Sequence, residues 1–473
     1  MFDLNKIRHI HFTGIKGVGM TAIAQCAKDM GIKVTGSDLE EIFVTDETLE
    51  KKEIKWQIGF AEKNLHPKPD LLVTTGAHGG LNNPEVLEAK KKGIKVITYA
   101  EALGLFANTK KLISVCGVGG KGSTASLIAW IFEYARKNPS FAIGMGNILP
   151  LGASGAYKKK GKYFICEADE YAISPGVNNN PKFSLLNPYI TITTNIEHDH
   201  PDIYPTFADT EKVYKDYFSR IPDDGILIVN FDNRNNRKTL KDYKKRRLTY
   251  GFDNEADWFI KKYSFSEGQT EFLLENLKEG IFRITTHLPG KFNILNSVAG
   301  FLAAKMSSIS IENIIKALEN FEGARRRFEI MGNMNGAIFY DDYAHHPTEI
   351  VEVLKATREW YPNRRIVAIF QPHTYSRTKA LLGGFSKSFK EADVVGIMDI
   401  YASARELKDD SVSSALLVDK IKKYQDKVNY LEGHINTLEW ISREVKKGDV
   451  VLTIGAGDIF HLYNGLKLKK VSF

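Results

Sequence analysis

The sequence predicts an α/β protein of three domains built on parallel sheets. Three observations predict it. A short apolar strand at Ile7–Thr13 runs into a glycine-rich turn and a helical pattern; the same succession starts again at Leu112; a third strand-rich stretch opens at Ala337. Short apolar strands alternating with helical patterns are the signature of a parallel sheet. The chain has 473 residues, and one hydrophobic core rarely grows past about 250–300 residues, so more than one domain is required.

In order along the chain, strands are expected at Ile7–Thr13, Lys33–Thr35, Leu71–Thr74 and Lys95–Ile97, with a helix from about Met20. Ala107–Lys111 is short and polar and reads as a linker, which sets the first domain at residues 1–107. The second domain, 108–322, opens on the strand Leu112–Cys116 and contains candidate strands Tyr163–Cys166 and Ile190–Thr193. Asp232–Glu279 is polar, and its weak periodicity places no elements. An amphipathic helix at Ile311–Asn320 precedes the basic cluster Ala324–Arg327, and the third domain, 323–473, carries strands Ala337–Tyr340, Ile366–Phe370, Val394–Met398 and Val450–Ile454.

Hydrophobic residues make up 43% and charged residues 26%, an ordinary soluble composition, and the formal net charge is +8. Such a surplus can serve nucleic acid, a membrane surface or an anionic small substrate, but the lysines are scattered apart from short runs that read as a solvated face; an anionic nucleotide substrate fits the surplus without being required by it. Cys26, Cys116 and Cys166 have neither zinc nor disulfide spacing. The N-terminus lacks the apolar run of a signal peptide, and no stretch approaches the roughly 20 apolar residues of a membrane span. A cytoplasmic location is therefore expected.

Four groups of residues carry chemistry. The first turn holds Gly14, Gly17 and Gly19, where glycines let the backbone approach a phosphate at a helix N-terminus, and Ser37 and Asp38 follow where a dinucleotide fold puts its ribose-binding acid. Lys16 occupies the position that fingerprint gives to glycine. On the pattern alone, an NAD-dependent oxidoreductase and a ligand-free tight turn both stay open. The second turn is Gly117-Val118-Gly119-Gly120-Lys121-Gly122-Ser123-Thr124. Its N–H groups suit the phosphates of ATP, Lys121 suits their charge, and a hydroxyl suits Mg²⁺, although no glycine stands five residues before Gly120.

Glu167-Ala-Asp169-Glu170 and Asn195-Ile-Glu197-His198-Asp199-His200 each follow a strand, where parallel sheets bind ligands. Glu167 is the plausible Mg²⁺ ligand, and His200 a softer one. Asp341-Asp342-Tyr343-Ala344-His345-His346-Pro347 and Gln371-Pro372-His373-Thr374-Tyr375-Ser376-Arg377 follow two strands of the third domain and read as one site. A zinc hydrolase is disfavoured, because no HExxH-like spacing is present.

With these motifs on the page, the chain resembles the Mur ligases almost end to end. HFTGIKGVGM, NPE (Asn83–Glu85), EADE, NIEHDH, PGKFNILN (Pro289–Asn296), GARRRF (Gly323–Phe328), DDYAHHPTE, FQPHTYSRT, DIYASARE (Asp399–Glu406) and GAGDI (Gly455–Ile459) stand in family order. The resemblance implies a Rossmann-like UDP-binding first domain, an ATP-binding second of the P-loop ATPase type, a Rossmann-like third, and a reaction in which ATP phosphorylates the carboxylate of UDP-N-acetylmuramate. L-Alanine then attacks the acyl phosphate, in the making of peptidoglycan precursors. It implies ATP and Mg²⁺ as cofactors. By position it puts Lys121 at the γ-phosphate, Glu167 and His200 at Mg²⁺, and Asn293, Asn296 and Arg326 at the nucleotide. Gly14, Gly17, Gly19, Ser37 and Asp38 fall to the UDP portion, and Tyr343, His345 and Arg377 to the muramoyl or alanine end.

The departures from the family are specific. Val118, Gly119, Gly122 and Ser123 replace Thr, His, Thr and Thr of the usual loop, giving a core like that of folylpolyglutamate synthases. Phe292 stands where the family has His, and Thr374 where many members have Arg. Gly122 carries no hydroxyl, so the expectation is a turn lengthened at Gly122 that puts Ser123 at the metal, with Thr124 as the rival. Two other readings fit the same motifs: a recycling ligase that attaches a whole tripeptide, which EADEY and Pro181-Lys182-Phe183 resemble, and a nucleotide-binding homologue without turnover.

Overall fold

In the computed structural model, which describes residues 4–200, 202–402 and 408–470, the first hundred residues build a five-stranded parallel sheet in the order β3-β2-β1-β4-β5. Its strands are β1 (His9–Thr13), β2 (Lys33–Asp38), β3 (Trp56–Ile58), β4 (Leu71–Thr74) and β5 (Lys95–Thr98). β1 and β4 are buried at every position, as a parallel sheet covered on both faces requires. β1 has β2 on one side and β4 on the other, so the glycine turn after β1 lies at the switch point where open α/β sheets bind ligands. Gly14 there has φ +78°, and a Cβ would lie 2.6 Å from Thr75 Cγ2.

Glu85 fastens this sheet edge. It opens the helix Pro84–Lys91, which has Asn83 as its cap and proline at its first position. Fully buried, its Oε2 accepts from Ser37 Oγ (2.6 Å), Thr13 Oγ1 (3.0 Å) and the His11 ring (3.2 Å), while Oε1 accepts from Asn64 Nδ2 (2.7 Å). Burial works against ionisation, but the His11, Ser37 and Asn64 bonds outweigh it and hold the carboxyl below its usual range. Glu85→Gln is expected to cost about 3 kcal/mol of unfolding free energy, because an amide N–H then faces buried donors. A depressed folded pKa stabilises above the unfolded value near 4.3 and is lost as pH falls. Denaturant titrations of wild type and variant should therefore converge below about pH 4; equal stability at pH 7 would refute this role.

The second sheet has ten strands in the order β17-β16-β15-β14-β13-β12-β6-β9-β7-β8. They are β6 (Lys111–Cys116), β7 (Ser140–Ala142), β8 (Gly155–Ala156), β9 (Tyr163–Glu167), β12 (Pro188–Thr193), β13 (Ile226–Asn230), β14 (Arg247–Gly251), β15 (Trp258–Ser266), β16 (Gln269–Asn276) and β17 (Gly280–Thr286); β10 (Ala172–Ser174) and β11 (Asn178–Pro181) form a separate hairpin. β6 pairs in parallel with both β9 and β12. Their adjacent carboxyl ends bring the phosphate-type loop and the two acidic runs side by side. The stretch left unplaced by periodicity, Asp232–Glu279, contains the helix Arg234–Thr239 and strands β14 to β16.

Both sheets belong to one compact unit (Met1–Tyr263, Glu271–Thr286 and Phe292–Gly323). Within it Gln25 Oε1 accepts from Gly155 N at 2.6 Å and Ser154 Oγ at 3.2 Å, joining the first helix to β8.

The other unit comprises Ser264–Thr270, His287–Lys291 and Ala324–Phe473. Its six-stranded sheet runs β18-β19-β23-β20-β21-β22, with β18 (Glu329–Met334) antiparallel to β19 (Ala337–Asp342) and β20 (Ile366–Phe370), β21 (Val394–Met398), β22 (Val428–Leu431) and β23 (Val450–Ile454) continuing in parallel. β18 is an edge strand with polar and glycine positions, which is why apolar patterning missed it. Among the described residues, no helix is long and apolar enough to cross a membrane. The end of the Asp399–Glu406 motif lies outside the described residues.

Candidate active site

The loop after β6 is held by its neighbours on both sides. Gly117 has φ +123°, and a Cβ on it would come within 2.2 Å of Thr194 Oγ1. Val118 N donates to Asn195 O (3.1 Å), Gly119 N to Asn195 Oδ1 (2.8 Å), and Thr194 Oγ1 to Gly119 O (2.6 Å). Gly120, at φ +80°, caps the helix Lys121–Tyr134. A Cβ there would lie 2.8 Å from Asn296 Oδ1, the atom that also accepts from Thr124 Oγ1 at 3.1 Å. Asn296 Nδ2 in turn donates to Asn293 Oδ1 at 3.1 Å. Asn293 and Asn296 thus stand directly behind the loop. The Gly119 N–H, expected to meet a phosphate, is donated to Asn195 instead. The first-turn N–H groups of Lys121, Gly122 and Ser123 have no intrahelical acceptor and supply the anion-facing donors.

The lengthened turn at Gly122 is not what the chain builds. The helix already starts at Lys121, and Gly122 sits inside it. Its lack of a side chain has a packing reason: a Cβ would lie 2.4 Å from Met145 Sδ and 3.6 Å from Glu167 Cδ. Thr124 is fully buried and committed to Asn296. Ser123 is half-buried in the first helical turn, and its hydroxyl has no side-chain partner among the described residues.

Lys121 Nζ lies 3.3 Å from Glu170 Oε2. Burial acts to deprotonate this lysine, but the carboxylates of Glu170, Asp169 and Glu167 outweigh it and hold the ammonium charged. Burial raises Glu170, whose Oε1 has no hydrogen-bond partner. Glu167 Oε1 accepts from Gly144 N at 2.7 Å. Asp169 Oδ2 accepts from Lys182 Nζ at 2.7 Å. Ser123, Glu167 and His200 were the expected metal set. The acidic groups that gather with His200 are instead Asp169 and Glu170, with one ligand atom from each of the three within 4.8 Å of the others. Asp169 and Glu170 belong to the same EADE run as Glu167, beyond the strand end. Two hard carboxylates with an orphaned oxygen fit a divalent cation that keeps several waters; the His200 imidazole is the softer member.

A cavity of about 330 Å³ opens beside Lys121. Gly144, Glu167, Asp169, Lys182 and Phe183 line one part of it, and Val18, Gly19, Tyr99 and Leu103 another. Gly19 is glycine because of this wall: a Cβ would lie 2.7 Å from the Tyr99 ring.

At the first turn the side chains of Ser37 and Asp38 are spent internally. Ser37 is fully buried and donates to Glu85. Asp38 is 1% exposed, and its two oxygens accept from Lys16 N (2.7 Å) and Leu39 N (2.8 Å). Both side chains brace the loop that carries Gly14 and Gly17, so any part they play in binding the UDP portion runs through that loop. Lys16 is 2% exposed, pairs with Asp46 at 3.2 Å and donates to the carbonyls of Leu39 and Glu41, so it pins the following segment rather than facing a phosphate.

In the other unit, Tyr343, His345 and Arg377 gather at the carboxyl ends of β19 and β20. The His345 ring lies 5.3 Å from Tyr343 and 6.3 Å from His373, and Arg377 Nη1 donates to His373 Nδ1 at 3.1 Å. Burial holds His345 below the usual histidine range, so it is neutral near pH 7. His346 caps the helix Pro347–Trp360. Arg326 needs correction. It is 5% exposed; Nε donates to Asp341 Oδ2 (3.0 Å), Nη1 to Gly457 O (3.1 Å) and Nη2 to Gly455 O. Three of its five guanidinium N–H groups are spent on these internal acceptors, so it serves as a buried internal strut. The next residue, Arg327, is exposed, with its guanidinium 5.8 Å from the Tyr343 ring centre.

Three family models match the chain in succession: Mur ligase family, catalytic domain, over residues 9–111; Mur ligase middle domain over 115–304; and Mur ligase, glutamate ligase domain, over 326–457. The UDP-N-acetylmuramate–L-alanine ligase of Carboxydothermus hydrogenoformans is 36% identical over 458 residues, spanning 96% of this chain and 95% of that one. The ligase of the same name from Clostridium acetobutylicum is 37% identical over 465 residues, spanning 98% of each. Among solved structures, the UDP-N-acetylmuramate-alanine ligase MurC of Thermotoga maritima superposes with a TM-score of 0.79 at 25% identity and 97% coverage of both chains. A murein peptide ligase from Psychrobacter arcticus shares the fold, with a TM-score of 0.67 at 24% identity over 97% of this chain and 98% of that one.

Proposed function

The chain belongs to the Mur ligase family, and from that premise we propose that it joins L-alanine to the lactyl carboxylate of UDP-N-acetylmuramate with hydrolysis of ATP, in the cytoplasmic synthesis of peptidoglycan precursors. The observation that carries this reading is the end-to-end identity to two alanine-adding ligases, with Lys121 charged at a helix N-terminus beside three carboxylates. Residues 1–107 take the UDP sugar, 108–322 take ATP, and 323–473 form the third domain. A carboxylate oxygen attacks the γ-phosphorus and ADP leaves; the neutral alanine nitrogen then attacks the acyl carbon, the bond from that carbon to the phosphate oxygen breaks, and the nitrogen gives up a proton as phosphate departs. Such chemistry asks for placement and charge neutralisation more than for covalent help from the protein.

The Gly14 and Gly17 turn receives the diphosphate of the sugar nucleotide. Gly117, Gly120, Lys121 and the first-turn N–H groups receive ATP, with Asn293 and Asn296 fixing the loop. Tyr343, His345 and Arg377 receive the amino acid end. Mg²⁺ supplies charge neutralisation at the phosphates when bound; Ser123 and Glu167 would hold one ion at the loop, and His200 with Asp169 and Glu170 would hold another.

Phosphate release in the presence of ATP and Mg²⁺ should require UDP-N-acetylmuramate and run fastest with L-alanine among a panel of amino acids and muropeptide fragments. A clear preference for the L-alanyl-γ-D-glutamyl-diaminopimelate tripeptide would move the assignment to the recycling ligases. No release with any acceptor, from a folded protein that binds ATP, would leave a binding homologue.

A further inference from the structure

We propose that Lys182 holds the attacking carboxylate of the sugar-nucleotide substrate in the cavity beside Lys121, making it a positioning residue for formation of the acyl phosphate. The proposal deepens the function above and rests on it.

Lys182 lines the same cavity as Lys121 and Glu167, and its side chain is 24% exposed. Two backbone bonds stitch it to the acidic run: Lys182 N donates to Tyr171 O at 2.9 Å, and Phe183 N to Asp169 O at 3.0 Å. The ammonium donates to Asp169 Oδ2 at 2.7 Å and stands 5.3 Å from the centre of the Tyr171 ring. An ammonium has three N–H donors, and the bond to Asp169 uses one, which leaves capacity for a second anion. Lys182 and Lys121 together outweigh the burial of Asp169 and keep it ionised.

The cavity therefore carries two cations with different attachments. Lys121 belongs to the phosphate loop and pairs with Glu170; Lys182 lies away from that loop and pairs with Asp169. The reaction needs such a division, because a carboxylate must approach a polyanionic phosphate against like charge. In the step itself a carboxylate oxygen forms a bond to the γ-phosphorus and the bond from that phosphorus to the β,γ-bridging oxygen breaks. Its electron pair leaves with ADP, and no proton moves. Lys182 holds the carboxylate before attack. Tyr99 and Leu103 form an apolar wall that excludes water from the acyl phosphate.

The test compares wild type with Lys182→Met, Lys182→Gln and Lys182→Arg. KM is measured separately for UDP-N-acetylmuramate, ATP and L-alanine, and acyl phosphate is trapped as the hydroxamate with hydroxylamine in the absence of alanine. Met and Gln should each raise KM for UDP-N-acetylmuramate about 30-fold and cut hydroxamate formation at fixed substrate in proportion, consistent with loss of one charge-assisted contact. KM for ATP and L-alanine should stay within about 2-fold, and Arg should recover most of the loss. Using two neutral replacements guards against one that fails to fold. Unchanged KM for UDP-N-acetylmuramate in either folded neutral variant overturns the proposal. So does an equal rise in KM for ATP, which would make Lys182 a prop for the phosphate loop. A wild type that yields no hydroxamate from UDP-N-acetylmuramate overturns the ligase reading itself, and the proposal with it.

Discussion

Lys121→Met should lower turnover by about 1,000-fold, the upper part of the range seen when one preorganised donor to developing charge is removed. The geometry makes the expectation specific. Lys121 opens the helix after β6, its ammonium is kept charged by three carboxylates, and it borders the cavity. Removing it also leaves Glu170 buried with one oxygen already unpartnered. A second, structural loss is therefore expected, because an uncompensated buried carboxylate destabilises the fold by about 3 kcal/mol or takes up a proton. The two effects separate in the Lys121→Met, Glu170→Gln double variant, which should regain stability in denaturant without regaining turnover. If the double variant also recovers activity, Lys121 serves only to neutralise Glu170, and its place at the γ-phosphate is wrong.

The same residues show what a sequence can and cannot disclose. β6 and β9 were legible as nearly unbroken apolar runs, and β1 and β12 as β-branched and aromatic residues interleaved with His or Thr; the polar clusters stood out where these strands stop. The strands β14 to β16 were not, because their half-exposed faces mix lysine, serine and threonine with apolar residues. At the site, residue type was readable and residue commitment was not. Ser37, Asp38 and Arg326 have the chemistry of ligands, yet their side chains are spent on partners between 15 and 131 positions away or, for Asp38, also on the next residue. Gly19 and Gly122 look like glycines for phosphates, yet their missing side chains make room for Tyr99 and Met145. Packing between distant segments decided these cases, and nothing local records it.

Glu167→Gln should lower turnover by about 100-fold while the fold stays intact, since metal charge stabilisation amounts to several kcal/mol. The amide keeps an oxygen for the Gly144 N–H, which Glu167 Oε1 now accepts at 2.7 Å, so the loss reports charge rather than packing. Glu167 ends β9, reaches to 3.6 Å from where a Gly122 side chain would begin, and thus adjoins the first turn that carries Ser123. His200 keeps separate company with Asp169 and Glu170. The two proposed cation sites would make unequal demands: one beside the phosphate loop, and one at a cluster whose histidine is a poor ligand for Mg²⁺. Titrating phosphate release against Mg²⁺ should therefore give a right-shifted curve for Glu167→Gln and for Ser123→Ala. His200→Ala should lose only about 10-fold, more of it regained with excess Mg²⁺ than in the loop variants. A Glu167→Gln enzyme with a normal Mg²⁺ curve and full turnover would make this carboxylate a structural acceptor for Gly144, and would hand the metal to Asp169, Glu170 and His200 alone.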